Sequence, residues 1–151
     1  EKIIEAAEEL ENKKIDLIFA SDLLRTKETA KIIGKALIIK PKYEKRLREI
    51  SFGVFNSGPI AKWRKYFEAE EEIIRNKPPN GESYNDVSER VYDFLKDIDK
   101  KYKGKNILII SHECPLSLLE WKVQEISIFE GIRKYPEKTS RIKKGEIREL
   151  N

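Results

Sequence analysis

The chain has a single histidine, His112. It closes the apolar run Ile107-Leu108-Ile109-Ile110-Ser111, so the imidazole stands just past a predicted buried strand. In that position a lone histidine serves equally well as a satisfied structural group or as an acid, base or ligand. Arg25 follows a second apolar run, Ile15-Asp16-Leu17-Ile18-Phe19-Ala20, and falls in the first turn of the next predicted helix. A guanidinium there can return to the strand end and hold a phosphate through two parallel hydrogen bonds. The same residue also suits a solvated helix face that carries Lys27 and Lys31. Glu49, in Arg46-Leu47-Arg48-Glu49-Ile50, is a general acid if it turns inward and the solvent side of an alternating strand if it does not.

These residues depend on the elements that carry them. Glu1 to Asn12 has apolar residues at helical spacing, Ile3, Ile4, Ala7 and Leu10, with no capping residue ahead of it. Residues 15–37 read as strand, turn and helix, with Ser21-Asp22 as the expected N-cap and Leu24, Ala30, Ile33 and Leu37 facing inward. Residues 38–52, broken by Pro41, predict one or two strand fragments leading to a loop over 53–59. A charged helix is expected over Ile60 to Asn76, its Trp63, Tyr66 and Phe67 stripe serving packing, until Pro78-Pro79-Asn80-Gly81 breaks the chain. A long helix then runs from Glu82-Ser83 to about Lys103, before Gly104. The run 106–111 is the best candidate for a buried strand, and Pro115 opens a helix to about Gln124. Past Glu125 the pattern gives a further helix or loop, a turn at Lys143-Lys144-Gly145 and a last strand over Glu146 to Leu150. Strands alternating with helices predict a single three-layer α/β/α domain over 1–151 with a mostly parallel sheet. Such sheets bind ligands outside the carboxyl ends of their strands, where Ser21-Asp22 and Ser111-His112 both fall.

Composition narrows the classes. A chain of 151 residues buries about 68–70% of its unfolded surface around one core. With one cysteine no disulfide framework forms, and no uncharged run nears the roughly 18 residues a bilayer crossing needs, so no membrane partner is expected. The net charge of +4 is spread over interleaved acids and bases, which argues against a nucleic-acid partner. No signal sequence is visible, so cytoplasm is the default expectation. Abundant Lys, Glu and Ile beside a single glutamine, Gln124, fit a thermophile and A/T-rich coding equally. There is no glycine-rich phosphate loop and no Cys/His cluster at zinc spacing. A cysteine-dependent phosphatase loop would need Arg at the sixth position after Cys114; that position is Glu120, so Cys114 is expected to be a small core residue.

Four segments, in order, resemble the histidine phosphatase superfamily, the phosphoglycerate mutase-like enzymes. Phe19-Ala20-Ser21-Asp22-Leu23-Leu24-Arg25-Thr26-Lys27-Glu28-Thr29-Ala30 resembles S-D-L-x-R-x-x-x-T-A. Leu47 to Gly53 is similar to L-x-E-x-x-F-G, and Pro79-Asn80-Gly81-Glu82-Ser83 with Asp86, Val87 and Arg90 to P-x-G-E-S-x-x-D-V-x-x-R. Ile109-Ile110-Ser111-His112 resembles the family's second histidine motif. The resemblance implies a phosphoglycerate mutase-like fold and phosphomonoester hydrolysis through a phosphohistidine, with a phosphorylated small molecule as partner and no metal or organic cofactor. By the same resemblance Arg25 binds the phosphate, His112 binds and stabilises the transferring phosphoryl group, and Glu49 protonates the leaving oxygen.

The departures are as informative. Nothing in residues 1–151 matches the family's first motif, R-H-G, which supplies the nucleophilic histidine, and His112 corresponds to the second histidine instead. With no methionine and an uncapped opening helix, the chain reads as N-terminally truncated, its first strand missing. Activity is then expected of a longer product; a non-catalytic phospho-ligand or partner-binding relative is the alternative, and a phosphoglycerate mutase is less favoured for so short a chain. Whether the chain forms a homodimer is left open. Glu113 stands where the family usually has glycine, beside the expected phosphate, and Phe55-Asn56-Ser57-Gly58 replaces W-E-G. By resemblance the missing strand lies between those that carry Ser21 and His112, so a gap, an unassigned strand or a second chain is expected there.

Overall fold

The two apolar runs, each ending in serine, build the centre of the sheet. A computed structural model describes residues 1–136 and 141–150. The elements follow in the order α1 (Lys2–Glu11), β1 (Leu17–Ala20), α2 (Leu24–Leu37), β2 (Lys42–Tyr43), α3 (Ile60–Lys65), α4 (Tyr84–Lys101), β3 (Ile107–Ile110), α5 (Glu113–Val123) and α6 (Ile128–Lys134). All strand pairs are parallel, in the order β2-β1-β3.

Strand alternation sorts the core into layers. Ile18 of β1, with Leu108 and Ile110 of β3, meets Ala7 and Leu10 of α1 and Ile33 of α2 on one face. Phe19, with Ile107 and Ile109, meets Leu47 and the α4 residues Phe94 and Ile98 on the other. A further cluster joins Trp63 and Phe67 to Val87 and Val91 of α4, Leu118 and Trp121 of α5 and Ile132 of α6. The fold is thus three-layered α/β/α with a parallel sheet.

The gap expected between the strands of Ser21 and His112 is absent. Leu17, Ile18, Phe19 and Ala20 pair directly with Ile107, Leu108, Ile109 and Ile110, and the Ser21 N–H donates to the Ile110 carbonyl at 2.9 Å. The two ladders satisfy each other's inward-facing backbone groups, which removes the vacancy that would have demanded an intervening strand. This leaves β3 at the sheet edge, so its four residues are partly exposed rather than fully buried.

Four other expectations give way locally. Only Lys42–Tyr43 of residues 38–52 forms a strand, because Pro41 has no N–H to offer a ladder and the Glu44 carboxylate caps a 3-10 turn over Lys45–Leu47. The helix over 60–76 stops at Lys65 and resumes as a 3-10 turn over Glu70–Ile74. Glu68 and Glu72, four apart, would repel on a continuous helix, and the Glu72 carboxylate instead accepts from the Glu68 N–H. Ser21-Asp22 does not cap α2, whose N-cap is Leu23, since the serine hydroxyl is drawn to His112 and the aspartate to Arg48. Residues 146–150 are not a strand; Ile147 packs on the α1 side of the sheet, while Arg148 pairs with Glu120 and Lys13 with Glu149. Pro115 is the third residue of α5, still within the first turn, where no N–H is missed.

Candidate functional site

β1 and β3 end side by side, which brings the residues after them into contact. The His112 Nε2 lies 2.9 Å from the Ser21 Oγ, and both side chains are buried. The Leu23 N–H donates to the same Ser21 oxygen at 3.3 Å, so the hydroxyl joins the imidazole to the start of α2. Ser111 turns the other way and donates to the Leu47 carbonyl at 2.6 Å, tying the strand end to the segment that carries Glu49.

Glu49 belongs to a segment held from several sides. Arg90 of α4 grips the Glu82 carboxylate with two hydrogen bonds, 2.7 and 2.9 Å, and donates to the carbonyls of Arg46 (2.7 Å) and Glu49 (3.2 Å). Glu82 also accepts from the Ser51 N–H at 3.0 Å. The α4 terminus that positions both is fixed by a capping box between Ser83 and Asp86. Next to it, Phe52 bridges Gly81, and Gly53 adopts a φ of +57° with its backbone against the Pro79 carbonyl. A side chain at Gly53 would collide there.

Glu49 and His112 both feel the charge of Arg25. Burial raises Glu49 from its usual 4.5 to about 7, and the Glu113 charge adds to the rise; the Ile50 N–H, Arg25 and Arg90 oppose it. Burial lowers His112 from 6.5 to about 4, helped by the positive charges of Arg25 and Arg90. The imidazole is therefore neutral near pH 7, while the carboxyl is poised between its two forms. Arg25 itself is exposed, its carbonyl accepts from the Thr29 hydroxyl at 3.2 Å, and its side chain makes no hydrogen bond or ion pair with the described residues. Cys114, expected in the core, is fully buried, and burial pushes its thiol well up. Among the described residues no cluster of His, Cys, Asp and Glu could hold a metal, and no helix is long and apolar enough to cross a membrane.

Two residues of the site were not singled out from the sequence. Arg90 stood in the quoted P-x-G-E-S-x-x-D-V-x-x-R segment, and its spacing of eight from Glu82 was the available signal for the clamp. The sequence sets Ser21-Asp22 at a ligand-binding strand end together with Ser111-His112 and suggests a helix cap; the parallel pairing of β1 with β3 reveals Ser21 as the partner of His112. Glu113, feared as a repulsive neighbour for a phosphate, turns its carboxylate to Arg141 at 3.2 Å and to the Ser117 hydroxyl at 3.5 Å.

A parallel sheet between helical layers, with polar side chains gathered at the carboxyl ends of adjacent strands, defines an open-sheet α/β domain whose site lies at those strand ends. The chain belongs to the histidine phosphatase superfamily (branch 1), whose sequence model matches residues 1–141. It is 35% identical over 125 residues to fructose-2,6-bisphosphatase TIGAR of Bos taurus, covering 78% of this chain and 46% of that protein. It is 33% identical over 120 residues to the probable phosphoglycerate mutase GpmB of Yersinia pestis, covering 75% of this chain and 55% of the other. The chain thus spans about half the length of these curated relatives. Among solved structures, the α-ribazole phosphatase of Shigella flexneri superposes with a TM-score of 0.71 at 25% identity, over 94% of this chain and 72% of that one. A mycobacterial glucosyl-3-phosphoglycerate phosphatase with inorganic phosphate gives 0.73 at 21% identity, over 86% and 69%, a likeness of fold.

Proposed function

We propose that residues 1–151 form the phosphate-gripping and proton-donating part of a phosphomonoester-hydrolysing site. Arg25, whose side chain has no partner among the described residues, takes the phosphoryl oxygens. His112 donates one hydrogen bond to the same group from its neutral ring. In this reading the Ser21 hydroxyl, which accepts from the Leu23 N–H, donates to His112 Nε2, and the ring proton is assigned to Nδ1 for the ligand. Glu49, protonated in part at neutral pH, gives its proton to the departing alcohol. The attacking imidazole is a second histidine, which residues 1–151 do not contain. Hydrolysis through a phosphohistidine is accordingly a property of a protein that supplies it, and names such as α-ribazole phosphatase among the structural neighbours favour hydrolysis over mutase chemistry.

The observation that carries this reading is the contact of His112 with Ser21 at the joined ends of β1 and β3, which Ser111 ties to the segment bearing Glu49; the influence of the Arg25 charge on both Glu49 and His112 supports a shared site. Calorimetric titration of residues 1–151 with phosphate and with vanadate tests it. Binding is expected, and Arg25→Ala is expected to weaken it at least about ten-fold. Absence of binding, or an unchanged affinity in the variant, overturns the reading.

The single histidine and Glu113 also support a second reading, a binding module without turnover. A p-nitrophenyl phosphate assay on the natural gene product separates the two: hydrolysis supports the enzyme, and vanadate binding without hydrolysis supports the module.

A further inference from the structure

The cations around the site are already matched. Arg48 holds Asp22 through bonds of 2.6 and 2.7 Å, Arg90 holds Glu82, and Arg141 reaches Glu113 at 3.2 Å. The ammonium of Lys27 lies over the Tyr43 ring, 5.1 Å from its centre. Arg25 remains as the cation of the site that no described residue pairs. Arg141 cannot be lent to a ligand, because its side chain is 2% exposed and packed over the Trp121 ring, with further bonds to the Tyr135 carbonyl and the Tyr84 hydroxyl. Its partner Glu113 is the exposed half of the pair, at 38%, directly after His112 at the head of α5. Whatever is attached to a phosphate held by Arg25 and His112 therefore has on that side the exposed carboxylate of a pair whose cation is buried behind it, with no unpaired positive charge among the described residues.

We infer that the site selects phosphomonoesters whose alcohol part is neutral or cationic and discriminates against bisphosphates and phosphocarboxylates, with Glu113 as the residue that sets the preference. The inference rests on the phosphate-site reading above and names its substrate class. Like charges a few ångströms apart across a partly exposed surface account for a several-fold loss of affinity. The raised proton affinity of Glu49 is consistent with Glu113 standing close to it. The preference would set this chain apart from a relative named as a fructose-2,6-bisphosphatase.

The test uses two probes of matched size, glycerol 3-phosphate and 3-phosphoglycerate, titrated calorimetrically into residues 1–151 at pH 7.5 beside inorganic phosphate. Glycerol 3-phosphate is expected to bind about five-fold or more tightly than 3-phosphoglycerate. In Glu113→Gln, which removes the carboxylate and leaves the Arg141 charge unbalanced, the ratio is expected to fall below about two-fold. Equal binding of the two esters by the unaltered chain, or tighter binding of the phosphoglycerate, overturns the inference. So does an unchanged ratio in a variant whose circular dichroism shows the native fold. Should Glu113→Gln fail to fold, the ratio in the unaltered chain decides. Failure of inorganic phosphate to bind at all overturns the phosphate-site reading itself, a result distinct from binding without discrimination.

Discussion

Replacing Glu49 by glutamine should make the protein more stable at alkaline pH and leave it nearly unchanged in acid. A carboxyl whose folded value lies at about 7 against an ordinary 4.5 binds its proton more tightly in the folded than in the unfolded state. Its stabilising effect is therefore complete below pH 4.5 and is lost as pH rises through 7. At about 1.36 kcal/mol per pH unit, discounted for partial solvent access, the interval is worth roughly 1–3 kcal/mol. Glutamine keeps the Oε1 that accepts from the Ile50 N–H at 2.9 Å and adds no charge, so the substitution isolates the cost of ionisation. Urea unfolding of both proteins from pH 4 to pH 9, followed by tryptophan fluorescence, reads the difference. The variant's advantage should grow between pH 5 and 8, equivalent to a rise of several degrees in melting temperature for a chain of this length. His112 acts in the opposite sense in both proteins: its folded value of about 4 lies below 6.5, so its stability contribution is lost as pH falls from 6.5 towards 4, and it cancels in the comparison. A difference that stays flat across the range would refute the account of Glu49 as a desolvated acid, and with it the proton-donor role.

Two further substitutions test how Glu49 is positioned. Arg90→Ala removes both bonds to Glu82 and those to the Arg46 and Glu49 carbonyls; a loss of about 2–4 kcal/mol in urea midpoints is expected, with phosphate affinity falling as well. Gly53→Ala places a methyl group against the Pro79 carbonyl in a left-handed backbone, at an expected cost of at least about 2 kcal/mol in thermal unfolding.

Much of this was readable beforehand because periodicity is local. The α4 stripe of Val87, Val91, Phe94 and Ile98 and the runs ending at Ser21 and Ser111 announce their elements without reference to anything distant. Strand neighbours carry no such mark. The apolar run of β3 reads as buried, yet its place at the sheet edge depends on which strand it pairs with, and the resemblance to longer relatives pointed to a different neighbour. The break after Lys65 and the irregular tail over 146–150 were illegible for a related reason: both are decided by side-chain bonds, Glu72 to the Glu68 N–H and Arg148 to Glu120, that no periodicity reports. Of the site, Arg25, Glu49 and His112 stood out by type and motif, whereas Arg90 and Ser21 act through partners that only the folded chain supplies.

The hydrogen bond between Ser21 and His112 joins residues 91 positions apart, across a seam of four residue pairs. Closing so long a loop is costly in chain entropy and gains little until both strands are in register, which is why parallel pairings of this kind form slowly and late. The contact then has no half-built stage during folding: imidazole and hydroxyl meet when the sheet zips, and a nascent chain that has not yet released β3 from the ribosome lacks it altogether.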